Sequence, residues 1–379
     1  MTGPLRIERR MDTPQWLKVA VPLVSILLAA IIVGVLLAAT GHNPVSTYHQ
    51  MYSASVTADG ALSSTFVYAT PLLFTGLCAA FAFRMRTWNI GGEGQLYMGA
   101  VGASATGLVL GDWPRPLLII AMIIGGCLAG AAWACIPALL RAYLRTNEIL
   151  TSLMLNYVGG FFMYYLIYDS NSYWRDLSPG AAVFPTGKTL VPNATWPGIM
   201  IGSFTLPMGF VLGAGLAIGL LVLIRKTRYG FEMRVMGDSP QAASYSGIRT
   251  KRKIVSVMAI SGGIAGIAGS SQIGDFGHVL DPRGLEQAQY GYTGIVVAAL
   301  ALYNPLAVVL VSLLIGGLTN AGFALEGPSF PTGLVGTMEG IILFTVLGGE
   351  ILARYRIGLR RRAVVPAGTG ATAATGVAS

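Results

Sequence analysis

A carboxylate stands among glycines where the chain enters a long apolar stretch. The segment reads NIGGEGQ from Asn89 to Gln95, with Glu93 as the ionisable group. A charge in the middle of a membrane helix costs roughly 2.5 to 3.5 kcal/mol, so such a residue predicts either a pairing partner or a solute path. Glycines weaken a regular helix and let backbone approach backbone or solute. The segment therefore predicts a polar break inside a membrane-spanning element.

Further polar and aromatic residues lie at or near the starts of apolar stretches. Amides and carboxylates can hydrogen-bond hydroxyls or a base edge, and aromatic rings can stack on the face of a sugar or base. The candidates for a solute path are Trp88, Asn89, Glu93, Gln95, Asn147, Glu148, Asn156 and Tyr157, with Phe161 as a further ring. The alternative is structural: the polar groups cap broken helices, with Glu93 paired to Arg84 or Arg86.

Catalytic, metal and nucleotide sites have little support. The three histidines show no HExxH spacing, and Cys78, Cys127 and Cys135 form no CxxC pair, so neither a catalytic nor a metal site is expected. The string AVFPTGKT at 182–189 lacks the first glycine of a P-loop and follows no buried strand. We expect no cofactor in this chain; if ATP drives it, another chain must bind the nucleotide.

Composition indicates an integral membrane protein. Of 379 residues, 54% are hydrophobic and 11% charged, against about 25% charged residues in a soluble domain. A span needs about 20 apolar residues, and we predict an all-α fold of about ten transmembrane helices. They lie near Val19–Thr40, Thr65–Phe83, Asn89–Leu110, Pro116–Leu140, Leu150–Tyr168, Leu206–Ile224, Ile254–Ile273, Tyr292–Tyr303, Leu306–Phe323 and Thr332–Leu347.

The positive charges are distributed very unevenly over these spans. With ten spans, 21 of the 25 lysines and arginines fall on the side of the N-terminus. The positive-inside rule then predicts that both termini are cytoplasmic. This pattern accounts for the net charge of +9 without a nucleic-acid partner.

The topology also predicts the domain organisation. We expect a cytoplasmic segment at 1–18, one polytopic domain at 19–350, and a basic and then disordered cytoplasmic tail at 351–379. The block of spans two to five starts on the outside, and the block of spans seven to ten starts on the inside. The two blocks are therefore inverted relative to each other, and the third helix is predicted to be broken. Inverted repeats with broken helices are a recurrent construction in transporters.

The longest cytoplasmic connection, 225–253, contains signals for a short helix. Asp238 and Ser239 can cap a helix, Pro240 suits its first position, and Gly247 suits its end. Such a helix, with Ala242 and Ala243 as a small-residue face, fits a groove on a partner. The alternative is a solvated basic loop.

Four motifs together resemble a known family. They are NIGGEGQ (Asn89–Gln95), NEILTSLMLNY (Asn147–Tyr157), RVMGDSPQAASYSGI (Arg234–Ile248) and YGYTGIVVAALALYNP (Tyr290–Pro305). In this order, over about 220 residues, they resemble the permease subunit of bacterial simple-sugar and nucleoside ABC importers. The resemblance implies a transport subunit without enzymatic activity in the bacterial cytoplasmic membrane.

The resemblance also implies partners and roles. The partners would be an ABC ATPase that binds ATP and magnesium, a second homologous permease and an extracytoplasmic solute-binding lipoprotein, besides the solute and membrane lipid. The basic connection would be the coupling loop that docks on the ATPase. Its residues would be Gly230, Glu232, Arg234, Gly237, Asp238, Ala242, Ala243 and Gly247. Glu339 departs from the family's usual amide, which argues against contact with solute.

We therefore expect a permease for a small neutral polar solute, most simply a nucleoside or simple sugar. A branched-chain amino acid permease is an alternative, although its solute's carboxylate would call for a basic residue and no predicted span contains one. A single-chain, ion-coupled secondary transporter with Glu93 and Glu339 as ion sites is another.

Overall fold

Apolar α-helices dominate the computed structural model of the chain. The structure describes residues 5–9, 15–169, 171–182, 185–202 and 204–325, and then 333, 336–338, 340–342, 344–345, 348–349 and 355–359. A helix satisfies its own backbone hydrogen bonds, which is what an apolar segment needs in lipid. The prediction of an all-α membrane protein is confirmed.

The helices are α1 (Gln15–Ala39), α2 (Pro44–Tyr52), α3 (Ala61–Phe83), α4 (Gly92–Val109), α5 (Arg115–Leu144), α6 (Glu148–Tyr164), α7 (Met208–Lys226), α8 (Arg228–Asp238), α9 (Pro240–Tyr245), α10 (Thr250–Ser271), α11 (Pro282–Ala288), α12 (Tyr290–Leu300) and α13 (Pro305–Leu325). Single π-helical turns follow α2, α6 and α10, at Ser53–Thr57, Tyr165–Asp169 and Gln272–Gly277. Short 3-10 turns lie at Pro179–Ala182 and Pro192–Ala194.

Two small antiparallel sheets accompany the helices. Strand β1 (Leu5–Arg9) pairs with β4 (Tyr355–Leu359), with Leu5 opposite Leu359. Strands β2 (Gly198–Ile201) and β3 (Phe204–Pro207) form a hairpin directly before α7. The first sheet joins the segments 1–18 and 351–379, for which the sequence predicts a cytoplasmic location.

Six helical segments in the described part of the chain are long and apolar enough to cross a membrane. They are α3, α5, α6 with its π turn, α7, α10 with its π turn, and α13. The first predicted span corresponds to α1, whose apolar part Leu23–Ala39 is shorter. The third and eighth correspond to α4 and to the 11-residue α12. The tenth is described only in part, and Glu339 within it lies outside the described residues.

The predicted break precedes α4. Helix α3 ends at Phe83, and α4 begins only at Gly92, so Asn89 is non-helical and Glu93 lies in the first turn of α4. Arg86 adopts a positive φ of 52° in the connecting turn, which reverses the chain direction.

Helix α3 lies at the centre of the bundle. In its apolar window, 83% of the residues are buried, against 33% in α5 and α7 and 28% in α6. Its side chains Phe74, Leu77 and Phe81 are at most 1% exposed. The less buried helices therefore present apolar surface to lipid or to another subunit.

Helix α10 packs on α4 and α5 through glycines. A Cβ atom on Gly130 would lie 2.7 Å from Gly266 Cα, and one on Gly126 would lie 2.9 Å from Gly99 O. No real Cβ has room at such distances, so the backbones of the three helices touch directly. Small residues permit this close approach in membrane helices.

The glycine contact between α5 and α10 can be tested by enlarging one residue. We expect Gly266→Leu to destabilise the protein by about 3 kcal/mol or more, because a side chain there has only backbone to displace. Thermal unfolding of the purified protein in detergent micelles measures the effect. Gly219→Leu is the matched control, since a Cβ on Gly219 in α7 meets nothing within 4 Å. Equal melting temperatures for the two variants would contradict the packing described here.

Candidate solute cavity and coupling surface

Two side-chain amides pair with each other between the break and the first turn of α4. Asn89 Nδ2 donates to Gln95 Oε1 at 2.9 Å, and Gln95 Nε2 donates back to Asn89 Oδ1 at 2.8 Å. Asn89 Nδ2 also lies 2.9 Å from Ser261 Oγ in α10, and Asn89 Oδ1 accepts from Gly91 N at 3.1 Å. Ser261 in turn donates to Cys78 O at 2.9 Å. This buried network ties the break to α3 and α10.

Glu93 binds the start of α12 through its backbone. Glu93 is 1% exposed, and its Oε2 accepts from Gly291 N at 2.5 Å and from Tyr292 N at 3.3 Å. Free N–H groups at a helix start favour a negative charge. The alternative in which Glu93 pairs with an arginine is wrong, since Glu93 forms no ion pair among the described residues and Arg84 Nε donates to Tyr303 O at 3.2 Å.

Asn156 joins α6 to the same region. Its Nδ2 donates to Ile90 O at 2.9 Å, and its Oδ1 accepts from Gly94 N at 2.9 Å. The same amide lies 3.2 Å from the hydroxyl oxygen of Tyr292. One buried side chain therefore satisfies backbone groups on both sides of the break.

A cavity of about 320 Å³ opens beside Glu93 and Asn156. Its walls come from α4, α6, α11 and the start of α12. The lining residues are Glu93, Tyr97, Leu153, Asn156, Tyr157, Gly160, Phe161, Tyr164, Glu286, Gln289 and Tyr292. Aromatic rings, amides and two carboxylates make up most of this surface, and no lysine or arginine lies among the described residues that line it.

The cavity brings together four of the residues expected on a solute path. They are Glu93, Asn156, Tyr157 and Phe161. Glu93 Oε1 is buried and has no donor at hydrogen-bond geometry within the described chain, and Tyr97 is the neighbouring phenol. Buried polar groups normally have partners, and the Tyr97 hydroxyl is the group of this chain that interacts with the Glu93 carboxylate.

The other candidates lie elsewhere. Asn89 and Gln95 belong to the buried network. Asn147 caps α6 by accepting from Ile149 N at 2.9 Å. Glu148 pairs with Arg141 and accepts from Trp88 N at 3.4 Å, and the Trp88 ring packs 4.7 Å from the ring of Phe83. In the structure these residues hold helix ends together and do not line the cavity.

Sequence reasoning missed several residues of the lining. Tyr97 follows Glu93 by one helical turn, a spacing that could have been recognised from the sequence. Glu286 comes from α11, which is too short for hydropathy to detect, and Gln289 lies between α11 and α12. The sequence places Tyr292 in a motif and at the start of a span, without a role at the cavity. Among the described residues no three His, Cys, Asp or Glu side chains are grouped as a metal ion would require.

The short helix predicted in the coupling loop is present as α9. Ser239 caps it by accepting from Ala242 N at 3.2 Å, Pro240 is its first residue, and Gly247 follows with a φ of +78°. Ala243 is fully buried, whereas Tyr245 is 94% exposed. The second predicted cap, Asp238, instead ends α8.

The sequence did not predict helix α8. Thr227 caps it by accepting from Gly230 N at 3.2 Å, and a Cβ on Gly230 would overlap the carbonyls of Leu223 and Ile224. Arg234 donates to the carbonyl of Ile224, at the end of α7. A Cβ on Gly237 would lie 2.8 Å from Arg84 O. Helix α8 therefore packs on the end of α7 and on the turn that leads to the break.

Glu232 joins α8 to α10. Its Oε2 lies 2.5 Å from Lys253 Nζ, and its Oε1 accepts from Arg228 Nε at 3.1 Å. The hydrogen bond from Lys253 keeps the pKa of the Glu232 carboxyl below its usual value. The Glu232 carboxyl therefore stays ionised at neutral pH.

Comparison with known proteins gives a consistent result. The family described as "Branched-chain amino acid transport system / permease component" matches residues 61–347. A glucose ABC transporter permease of Haloferax volcanii is 30% identical over 367 residues, covering 95% of each chain. A nucleoside ABC transporter permease of Lactococcus lactis is 27% identical, covering 87% of this chain and 90% of the relative. A guanosine ABC transporter permease of Bacillus subtilis is 29% identical, covering 79% and 84%.

No solved structure matches the chain significantly. The family match covers most of the sequence and contains the break, the cavity-lining helices and helices α8 and α9. The similarity to the first relative extends over nearly the whole length of both chains. The chain therefore belongs to this permease family and is a membrane-spanning permease subunit of an ABC transporter.

Proposed function

We propose that this chain forms the membrane path of an ATP-driven importer for a neutral solute, a nucleoside or a simple sugar. The observation that carries the proposal is the cavity beside Glu93. Its volume of about 320 Å³ lies at the lower end of the range for small-molecule sites, about 300 to 1,000 Å³. The lining offers rings for stacking and polar groups for hydroxyls or a base edge.

The charge of the lining favours a neutral solute. Glu93 and Glu286 are both carboxylates, and no cationic side chain stands among the described lining residues. The carboxylate of an amino acid would meet like charges without a compensating cation, which is unfavourable in a low-dielectric site. The family description mentions branched-chain amino acids, but this cavity does not suit them.

The aromatic residues favour a solute with a flat or weakly polar face. Tyr157, Phe161 and Tyr292 all line the cavity. Aromatic rings stack on bases and on the apolar faces of sugars. The relatives' names, which mention glucose, nucleosides and guanosine, support the same class of solute.

For the topology we propose ten spans in two inverted blocks, with both termini in the cytoplasm. The charge asymmetry supports this orientation. The antiparallel pairing of Leu5–Arg9 with Tyr355–Leu359 supports termini on one side, which requires an even number of spans. Helices α4 and α12 are the short, interrupted elements that such a construction needs near its centre.

The partners we propose are an ABC ATPase, a second permease subunit and an extracytoplasmic solute-binding lipoprotein. The ATPase, with its own ATP and magnesium, would dock on α9, where Tyr245 projects and Ala243 faces inward. The second permease would cover α6, whose apolar window is only 28% buried and which borders the cavity. The remaining apolar surface faces lipid.

Uptake by a reconstituted complex tests the proposal. The chain is placed in liposomes with its ATPase, second permease and binding protein, and uptake of labelled guanosine, glucose and leucine is compared. ATP-dependent uptake of a nucleoside or sugar supports the proposal, whereas uptake of leucine alone overturns it. Uptake by the chain without the ATPase, driven by an ion gradient, would support a secondary transporter instead.

The aromatic wall can be tested by one matched pair of variants. We expect Tyr157→Ala to reduce uptake about tenfold, because base or sugar stacking on an aromatic ring is worth about 1 to 3 kcal/mol. Tyr165→Ala is the control, since Tyr165 lies on the same helical segment and is similarly exposed, 54% against 56%, but does not line the cavity. The initial rate of labelled solute uptake is measured. Equal losses in both variants would contradict the assignment of the cavity.

The docking of α9 can be tested through its exposed tyrosine. We expect Tyr245→Ala to weaken binding of the ATPase at least tenfold, because exposed aromatic residues anchor interfaces. Co-purification from detergent at a series of ATPase concentrations measures the affinity. Tyr52→Ala, at the end of α2 and 59% exposed, is expected to bind the ATPase normally. An unchanged affinity for Tyr245→Ala would argue against α9 as the contact.

A further inference from the structure

Lys253 is a buried cation between the coupling surface and the helix bundle. It lies in the first turn of α10 and is 8% exposed. A positive charge near a helix N-terminus opposes the helix dipole, and a buried ammonium group is costly without a partner. Fold stability alone would not favour a lysine here. We therefore expect a function for the contacts that offset the cost of burying its charge.

Those contacts all come from α8. Lys253 Nζ lies 2.5 Å from Glu232 Oε2 and 3.6 Å from the centroid of the Tyr229 ring. One turn further along α10, Ser256 Oγ lies 2.8 Å from the Tyr229 hydroxyl. Ion pair, cation–π contact and hydrogen bond together join two turns of α10 to one face of α8.

Helix α10 leads from this junction to the break before α4. Ser261 lies eight residues beyond Lys253, about 12 Å along the helix axis. Ser261 Oγ is 2.9 Å from Asn89 Nδ2, and Asn89 pairs with Gln95, two residues after Glu93. Because α10 also touches α4 and α5 backbone to backbone, we expect the three helices to move together as one packed unit.

We propose that the Glu232–Lys253 ion pair transmits movement of the docked α8–α9 segment to α10, and through Ser261 to the break and the solute cavity. Lys253 is thus a positioning residue for transport. This inference rests on the proposed function. An ATPase can shift the inward and outward populations only through contacts that differ between the two states. This pair, with Lys253 buried and Glu232 partly exposed, is a polar contact between the docking helices and the bundle.

The test is the number of solute molecules imported per ATP hydrolysed by the full complex in liposomes. Lys253→Met keeps the apolar stem and removes the charge, and we expect the ratio to fall about tenfold, within the usual range of coupling between sites. Lys251→Met is the matched control. Lys251 lies two residues away on an exposed position, with its Nζ 4.9 Å from the centroid of the Tyr143 ring, and we expect this variant to retain the wild-type ratio.

Two further variants separate transmission from stability. Lys253→Arg retains the charge and the stacking, so we expect the ratio to stay within about twofold of wild type. Glu232→Gln combined with Lys253→Met should lose no more than Lys253→Met alone, because residues of one pair are not additive. If Lys253→Met fails to assemble, Glu232→Gln, which removes the ion pair and keeps the contact of Lys253 with the Tyr229 ring, should still lower the ratio.

Clear outcomes would overturn the inference. A wild-type ratio in Lys253→Met or, where that variant does not assemble, in Glu232→Gln shows that the ion pair does not transmit movement. Equal losses in Lys253→Met and Lys251→Met show that a general charge effect is responsible. A wild-type complex that imports no solute would instead contradict the proposed function, and the two failures are therefore distinguishable.

Discussion

The structure depends on how backbone hydrogen bonds are satisfied in the connection between α3 and α4. Between Phe83 and Gly92 the chain is largely non-helical, and several of its residues are buried, where an unpaired backbone group is costly. Side-chain amides supply the missing partners, as Asn89 does for Gly91 N and Asn156 for Ile90 O and Gly94 N. Without these bonds, the first turn of α4 would have no fixed position opposite α12.

The position of Glu93 follows from this arrangement. Its Oε2 accepts from the first N–H groups of α12, so the starts of two interrupted helices share one carboxylate. Glu93 also lines the cavity, where α6 adds Asn156 and Tyr157. The same residue thus joins the starts of two helices and forms part of the cavity wall, which accounts for a costly carboxylate at this place.

The glycine contacts have a different consequence. Because Gly130 and Gly266 bring α5 and α10 into backbone contact, the centre of the bundle has little freedom to deform locally. A displacement of one end of α10 is therefore expected to reach the other residues that α10 contacts. The coupling surface reaches α10 through Glu232 and Lys253, and the break reaches it through Ser261. One helix connects the two regions.

Local interactions determined what could be predicted from the sequence alone. Apolar runs predict the helical membrane fold. The cap and stop signals at Ser239, Pro240 and Gly247 predict α9, because capping and termination act within a few residues. The glycines and polar residues at 89–95 predict an interruption of helical structure in this part of the chain. Helix α8 escaped prediction, since its sequence is polar and its small residues have meaning only against α7 and the Arg84 turn.

The tertiary structure decided which of the polar residues share a site. Glu93 meets Glu286, Gln289 and Tyr292 in one cavity, whereas Asn89, Asn147 and Glu148 serve helix ends. Lys253 became a buried partner of Glu232, although in the sequence it looks like one of many basic residues in a cytoplasmic loop. Residues about 190 positions apart meet only when helices pack, and helix packing depends on shape complementarity along whole faces, which a local pattern does not contain.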